Sequence, residues 1–357
     1  MVADFNPFLT WPGYNQAMNN RLLPLLAATC LLAPASAPAA PAAYHLIQTF
    51  HPGGEGGWDY LTLDPDARRL YISRGTHVMV LNADTGVSVG DIAGTSGVHG
   101  IALAPELGRG FTSNGRDNTV STFDLKTLKV LGTTPTGQRP DAIVYEPKTR
   151  RVFTFNGGSN DATAIDARTG KALGNVALGG RPEFAVADGQ GMLYDNIEDK
   201  GEIVALDAQT LTVKATWPLT PAESPSGIAM DTKTRRLFSV CDGGKMTVTD
   251  ADTGKVVATS AIGDGPDAAG FDPQTRLAFS SNGQDGTLTA IHEDGPDTYT
   301  LAQTVPTQKG ARTMALDPKT HRVYVVTATP LPAAPGTQPW RRSYAPGTFV
   351  VLVYGTS

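Results

Sequence analysis

The chain has 357 residues, which is enough for a large core or for more than one domain. Only 18% of the residues are charged, and 39 glycines with 26 prolines indicate many turns and few long helices. The net charge of −5 lacks the basic excess of a nucleic-acid or anionic-membrane surface, so we expect no nucleic-acid partner.

The first predicted element is an export signal, "MNNRLLPLLAATCLLAPASAPAAPAA". It contains one basic residue, Arg21, and then an apolar run from Leu22 to Leu32. Small residues follow in a pattern that suits cleavage after Ala39 or Ala42. The run is too short to span a bilayer, so we expect no transmembrane segment in the mature chain.

This segment sets the expected domain organisation. Residues 1–42 are assigned as an N-terminal extension plus signal peptide, with Met18 as the expected start, and residues 43–357 as a single domain. The expected location is periplasmic or secreted; a lipid on Cys30 and a plain apolar tail are the alternatives. If the signal is removed, Cys241 is the one cysteine left, which excludes an internal disulfide.

The rest of the chain repeats about every 42 residues. The stretch "GQRPDAIVYEPKTRRVFTFNGG" begins at Gly137, and "GDGPDAAGFDPQTRLAFSSNGQ" begins at Gly263 with the same layout. Seven units begin with the segments "YLTLDP", "GIALAP", "AIVYEP", "FAVADG", "GIAMDT", "AAGFDP" and "TMALDP". In each unit, alternating apolar and polar residues between Gly, Asn and Asp turns predict three further strands.

Four short strands per unit of this length predict an all-β fold, a seven-bladed β-propeller with four antiparallel strands per blade. The seventh unit ends one strand short, after "TFVVLVYG". The alternating segment from Tyr44 to Pro52 is unused and precedes the first unit as other fourth strands precede theirs. We therefore expect this N-terminal strand to close the last blade, which removes an exposed sheet edge, and we expect a monomer.

The repeat resembles that of the YVTN-type β-propellers, to which YncE-like exported proteins belong. The resemblance rests on second-strand segments such as Phe111-Thr-Ser-Asn, Phe153-Thr-Phe-Asn and Phe279-Ser-Ser-Asn, and it covers Tyr44 to Gly355. None of these segments is literally Tyr-Val-Thr-Asn, and Cys241 replaces the asparagine in the fifth unit. The resemblance implies the fold and export, but it brings no catalytic motif that could be transferred.

The candidate site lies where the first strands begin. The residues before the apolar part of each first strand are Asp59, His99, Asp141, Glu183, Ser226, Asp267 and Arg312. In a propeller these seven positions converge at the mouth of the central channel. They predict a polar ligand site there, or a site for a divalent cation, Ca²⁺ or Mg²⁺, with Asp141, Glu183 and Asp267 as candidate ligands. The structural alternative is that the carboxylates only bond to turn backbone or to one another.

Two further groups extend the predicted site on the same face. Asn114, Asn156 and Asn282 end second strands, where they serve either a ligand or a tight turn. A proline-rich insertion from Thr329 to Gly347 carries Trp340 and Arg341, and long insertions of this kind often bind ligands.

Two functions remain open from the sequence. The first is a non-catalytic binding protein or scaffold that presents this face to a small polar ligand or a protein partner. The second is a metal-dependent propeller enzyme, of lactonase or lyase type, in which His99 and Glu183 would be the catalytic residues.

Overall fold

The computed structural model of the protein describes residues 43–332 and 343–356, and its regular secondary structure is almost entirely β-strand. The predicted export segment and the candidates Trp340 and Arg341 lie outside the described residues. The strands in chain order are β1 (His45–Phe50), β2 (Leu61–Asp64), β3 (Arg69–Ser73), β4 (Gly75–Asn82), β5 (Ser88–Ala104), β6 (Arg109–Asn114), β7 (Thr119–Asp124), β8 (Val130–Pro135), β9 (Pro140–Glu146), β10 (Arg151–Asn156), β11 (Asp161–Asp166), β12 (Ala172–Ala177), β13 (Pro182–Ala187), β14 (Met192–Ile197), β15 (Glu202–Asp207), β16 (Thr212–Pro218), β17 (Glu223–Asp231), β18 (Arg236–Asp242), β19 (Lys245–Asp250), β20 (Val256–Ala261), β21 (Pro266–Asp272), β22 (Leu277–Asn282), β23 (Thr287–Gly295), β24 (Thr298–Pro306), β25 (Met314–Asp317), β26 (Arg322–Thr327) and β27 (Val350–Gly355). A single 3-10 turn, Pro105–Leu107, lies between β5 and β6.

The strands pair as repeated four-stranded antiparallel sheets, which confirms this part of the sequence prediction. Five sheets have four strands each, and a sixth has seven, from β2 to β8. The larger sheet arises because β5 is continuous: its first half pairs with β4 (Ile92 opposite Val78), and its second half pairs with β6 (Ile101 opposite Thr112). It therefore consists of two four-stranded groups that share one long strand. Together with the five four-stranded sheets, the described residues form seven groups, which are numbered here in the chain order of their first strands: β2, β5, β9, β13, β17, β21 and β25.

The N-terminal strand completes the last group. Strand β1 pairs antiparallel with β27, with Phe50 opposite Val351 and His45 opposite Gly355, in the sheet order β1-β27-β26-β25. Tyr44 reinforces this contact, because its hydroxyl donates to the carbonyl of His321 at 2.8 Å. The pairing expected from the missing fourth strand is thus observed, and it satisfies backbone groups that would otherwise form an open edge.

Both faces of each group are apolar, and each is covered by a neighbouring group. In β10, Val152 packs in one cluster with Phe111 of the preceding group, while Phe153 packs in another with Leu193 of the following group. The same holds between the ends of the chain, where Leu70 of the first group and Tyr324 of the last share a cluster. The first strands also contact one another in turn, from β2 through β5, β9, β13, β17, β21 and β25, and β25 contacts β2.

Carboxylates hold the turns at the far end of the first strands. Asp317 accepts a backbone N–H from Lys319 at 3.0 Å and pairs with Arg68 of the first group at 2.5 Å. His321 approaches Asp272 of the preceding group at 2.6 Å. The "DPKT"-type turns therefore also link neighbouring groups.

Two properties bear on the predicted environment of the protein. Within the described ranges, no helix is long and apolar enough to cross a membrane. Cys241 is a fully buried free thiol, and burial raises its pKa to about 12.

One buried carboxyl group, that of Asp195, breaks the repeat pattern. Asp195 in β14 is 0% exposed, and neither of its carboxylate oxygens has a hydrogen-bond partner in the described part of the chain. The equivalent residue in β10, Thr154, donates to the carbonyl of Ala142 at 3.2 Å. Burial raises the pKa of Asp195 well above its usual range, so the folded protein keeps a proton on this carboxyl that the unfolded chain releases.

We therefore expect the substitution Asp195→Val to stabilise the protein by about 1–3 kcal/mol near pH 8, because it removes an unpaired polar group from an apolar setting. A carboxyl with a raised pKa in the folded state lowers stability as the pH rises above its unfolded value of about 4. The wild-type protein should lose stability between pH 5 and pH 8 through this group, and the variant should lose less. Urea denaturation at the two pH values measures both effects.

Thr154→Val is the matched control, since it removes a satisfied hydroxyl at the equivalent position. It should not stabilise the protein and should not change the pH dependence. An Asp195→Val variant less stable than wild type at pH 8 would show that the carboxyl has a partner in solution.

Candidate functional site

The seven residues that precede the first strands are here called the inner ring: Asp59, His99, Asp141, Glu183, Ser226, Asp267 and Arg312. Their backbone is held by polar side chains of the preceding group. The hydroxyl of Ser113 donates to the carbonyl of Asp141, and that of Ser281 donates to the carbonyl of Arg312. The amide of Asn196 donates to the carbonyl of Ser226 at 2.8 Å. These bonds position the inner ring from the second strands, independently of any ligand.

Five members of the inner ring form a continuous chain of opposite charges. His99 Nδ1 lies 2.6 Å from Asp59 Oδ2 and 3.5 Å from Asp141 Oδ1. On the other side of Asp59, Arg312 bridges Asp59 Oδ1 at 2.9 Å and Asp267 Oδ2 at 2.5 Å. Residues from five different groups, up to 253 positions apart in the chain, thus meet directly.

The two cations set the charge states of this chain. Burial alone would lower the pKa of His99, but the hydrogen bond with Asp59 and the nearby carboxylates raise it to about 9, so the imidazole is positively charged at neutral pH. Burial opposes ionisation of Asp59 as well, but His99 and Arg312 together hold its pKa below the usual range. Burial raises the pKa of Asp141 and of Asp267 to about 6 in spite of these cations.

Glu183 belongs to the same ring but not to the chain of charges. Its carboxylate makes no hydrogen bond or ion pair with the described residues, and burial, followed by the charge of Asp141, raises its pKa well above the usual range. The next residue, Phe184, stacks on Tyr60 from the first group with ring centroids 4.4 Å apart. The buried hydroxyl of Tyr60 has no partner in the described ranges, and burial with the surrounding carboxylates raises its pKa.

A cavity of about 70 Å³ opens beside Glu183. It is lined by His99, Arg139, Asp141, Gly157, Arg181, Pro182 and Glu183. Two of the lining residues, Arg139 and Arg181, were not predicted from the sequence as site residues. A signal for them exists in the sequence, because Arg139 and Arg181 both stand two residues before an inner-ring carboxylate, in "RPD" and "RPE".

Three side chains of the inner ring lie close enough together to hold a metal ion. Ligand atoms of Asp59, His99 and Asp141 lie within 4.8 Å of one another. In this arrangement His99 pairs with both carboxylates of this triad. Arg312 pairs with Asp59 and with Asp267. The expected divalent cation therefore has a possible triad of ligands here, and the cations His99 and Arg312 lie against the same carboxylates.

The three asparagines expected on the same face are buried inside their own groups. Asn114, Asn156 and Asn282 are at most 1% exposed. Their side-chain amides donate to the third strand, for example from Asn156 to Thr163 at 2.9 Å and from Asn282 to Thr289 at 2.9 Å. They hold the second strand to the third, so we leave them out of the proposed site.

The described ends of the proline-rich insertion lie next to the first group. Leu331 N–H donates to the carbonyl of Ser343 at 2.8 Å, which joins the two ends of the insertion. Tyr344 then packs on Trp58, with ring centroids 4.6 Å apart. Because Trp58 immediately precedes Asp59, the base of the insertion adjoins the inner ring.

The charge chain predicts a pH-dependent effect for Arg312→Met. The substitution leaves Asp59 and Asp267 without the cation between them, and their mutual repulsion further raises the pKa of Asp267. We expect a loss of about 1 kcal/mol in the free energy of unfolding at pH 8, a modest value because the Arg312 side chain is 42% exposed. The loss should shrink at pH 5, where Asp267 is protonated in the folded protein.

Lys319→Met is the control, since Lys319 pairs with Asp66 in an exposed position away from the inner ring. It should change stability by less than about 0.5 kcal/mol at either pH. Equal effects of the two substitutions in chemical denaturation would contradict a special role for Arg312.

Comparisons with known proteins support the fold. No family model matches the chain, and no curated protein matches it. Similar solved structures include Kuenenia stuttgartiensis hydrazine synthase, at 16% identity and a TM-score of 0.67 over 76% of this chain and 92% of that chain. The WD40 repeats of RRP9 match at 9% identity and a TM-score of 0.73 over 88% and 98%. A structure of the mitotic checkpoint complex matches at 16% identity and a TM-score of 0.71 over 94% and 99%. These likenesses establish a β-propeller-type fold for this chain.

Proposed function

We propose that this protein is an exported, monomeric, seven-bladed β-propeller that binds a small polar ligand at its inner ring without catalysing a reaction. The seven-blade count is supported by the first strands, each of which contacts the next until β25 contacts β2. It is also supported by β1, which supplies the fourth strand of the last group. A closed ring of this kind gives the inner ring a fixed geometry.

The observation that carries the binding proposal is the cavity next to the chain of charges. His99, Asp141 and Glu183 line it together with two arginines, so donors and acceptors from three consecutive groups converge on one small space. Ligand sites typically combine a concave surface with a few convergent polar groups whose pKa values are perturbed. The unpartnered Glu183 carboxyl and Tyr60 hydroxyl leave hydrogen-bonding capacity beside this space.

The metal-dependent enzyme has less support. Its proposed acid-base residue, His99, is held between Asp59 and Asp141 in a charge chain that Arg312 completes. This arrangement suits a rigid electrostatic support better than an open metal site.

The binding proposal predicts the behaviour of a variant with both His99→Ala and Glu183→Ala. A screen of amino acids, sugars, organic acids and nucleotides by thermal shift first identifies a ligand of the wild-type protein. Titration calorimetry should then show at least about tenfold weaker binding to the variant, because two cavity walls lose their polar groups.

The control variant carries Lys148→Ala and Lys319→Ala. Both lysines lie in turns that follow first strands, at the opposite end of these strands from the inner ring. It should bind the ligand within about twofold of wild type. Loss of binding in this control, with binding kept in the inner-ring variant, would place the site on the other face.

Export is a separate part of the proposal, and it rests on the signal-like segment and on the resemblance to YncE-like proteins. N-terminal sequencing of the purified mature protein should return a sequence that begins near Ala40 or Ala43. A sequence that begins at residue 1 or 18, or an acylated Cys30, would count against it.

A further inference from the structure

Two neighbouring groups differ from the other five at one position of the repeat. Two residues before the inner ring, the other groups have Gly57, Gly97, Ser224, Gly265 and Gly310. The third and fourth groups instead have Arg139 and Arg181, each followed by proline. The two long cationic side chains therefore occur in adjacent groups, at equivalent positions, where the rest of the fold uses small residues.

The backbone at Arg139 favours glycine. Arg139 has φ +52°, in the left-handed region, like its equivalents Gly97 (+68°) and Gly265 (+63°). A residue with a side chain loses about 1 kcal/mol in this region relative to its right-handed conformation. The fold does not need an arginine here, and glycine would fit the backbone at lower cost.

The guanidinium of Arg139 is available to a ligand. Its exposed side chain lines the cavity and forms no ion pair with the described residues. Arg181 is partly balanced, because its guanidinium contacts Glu198. Of the remaining cavity residues, Asp141 lies 3.5 Å from His99, which also pairs with Asp59 at 2.6 Å. The cavity thus presents two guanidinium groups from adjacent groups of strands, and Arg139 forms no ion pair with the described residues.

We propose that Arg139 and Arg181 form a carboxylate-binding subsite of this cavity, so that the ligand of the inner ring is a small molecule bearing a carboxylate. Planar guanidinium groups match the two oxygens of a carboxylate. A monoanion suits the cavity better than a phosphate dianion, because Asp141 and Glu183 face the same space of about 70 Å³. The inference rests on the proposed ligand site, and it names the chemical group that the site recognises.

The test compares three simple probes on the full chain at constant ionic strength and pH 6.5: acetate, inorganic phosphate and methylammonium. Acetate should give saturable binding in an NMR titration, with the largest shifts at the cavity residues. Arg139→Gly should weaken acetate binding at least tenfold. This substitution restores the glycine of the equivalent positions, so the variant should be no less stable than wild type.

Arg116→Ala is the matched control, because Arg116 is an exposed arginine on the same face that does not line the cavity. It should leave acetate binding within twofold of wild type. Equal weakening of acetate binding by Arg116→Ala and Arg139→Gly would show that only the overall positive charge matters, and it would overturn the subsite. The absence of saturable acetate binding to the wild-type protein would overturn it as well.

Two further outcomes separate this inference from the proposed function. Tighter binding of phosphate than of acetate, lost in Arg139→Gly, would overturn the carboxylate assignment and identify a phosphate group instead. Binding of methylammonium that persists in Arg139→Gly but is lost in Glu183→Gln would overturn the anion subsite while the ligand site itself stands.

Discussion

The structure depends on the fact that each four-stranded group has two apolar faces. Val152 and Phe153 are neighbours in β10, yet they belong to different hydrophobic clusters on opposite sides of the sheet. Such a sheet exposes one apolar face unless it is covered on both sides, and exposed apolar area is unfavourable in proportion to its size. Each group therefore needs two neighbours. The shared cluster of Leu70 and Tyr324 meets this requirement for the first and last groups.

Covering both faces has an electrostatic consequence at the inner ring. Because the first strands contact one another in turn, the residues at their starts are forced close together. Four of these seven positions are acidic, and their mutual repulsion would oppose the packing that the apolar faces require. His99 and Arg312 resolve the conflict on one side, where they alternate with Asp59, Asp141 and Asp267. Glu183 is left outside this alternation, and the cavity lies beside it.

The proposed ligand site lies where the sequences of the repeats differ from one another. Buried asparagines such as Asn156 and Asn282 recur at equivalent positions, where their hydrogen bonds hold the second strand of a group to its third. Arg139 and Arg181 interrupt a position that elsewhere has glycine or serine, and Glu183 is the inner-ring acid without a partner among the described residues. A scaffold of repeated sheets supplies rigidity, while single departures from the repeat supply recognition.

Much of the fold and part of the site followed from the sequence alone. The period of about 42 residues and the strand alternation predicted the four-stranded sheets, and the missing last strand predicted the pairing of β1 with β27. Equal spacing also placed Asp59, His99 and Arg312 together before any contact was known. Period and alternation are local properties of the chain, which is why they can be read without coordinates.

Only the tertiary structure decided what the polar side chains do. Asparagines at the ends of second strands could have faced a ligand, but packing turns them into the interior of their own groups. The stacking of Tyr60 on Phe184 and the burial of Asp195 without a partner among the described residues had no sequence signal. Each depends on groups far apart in the chain and on the direction a side chain takes in three dimensions, which the spacing of residues along the sequence does not specify.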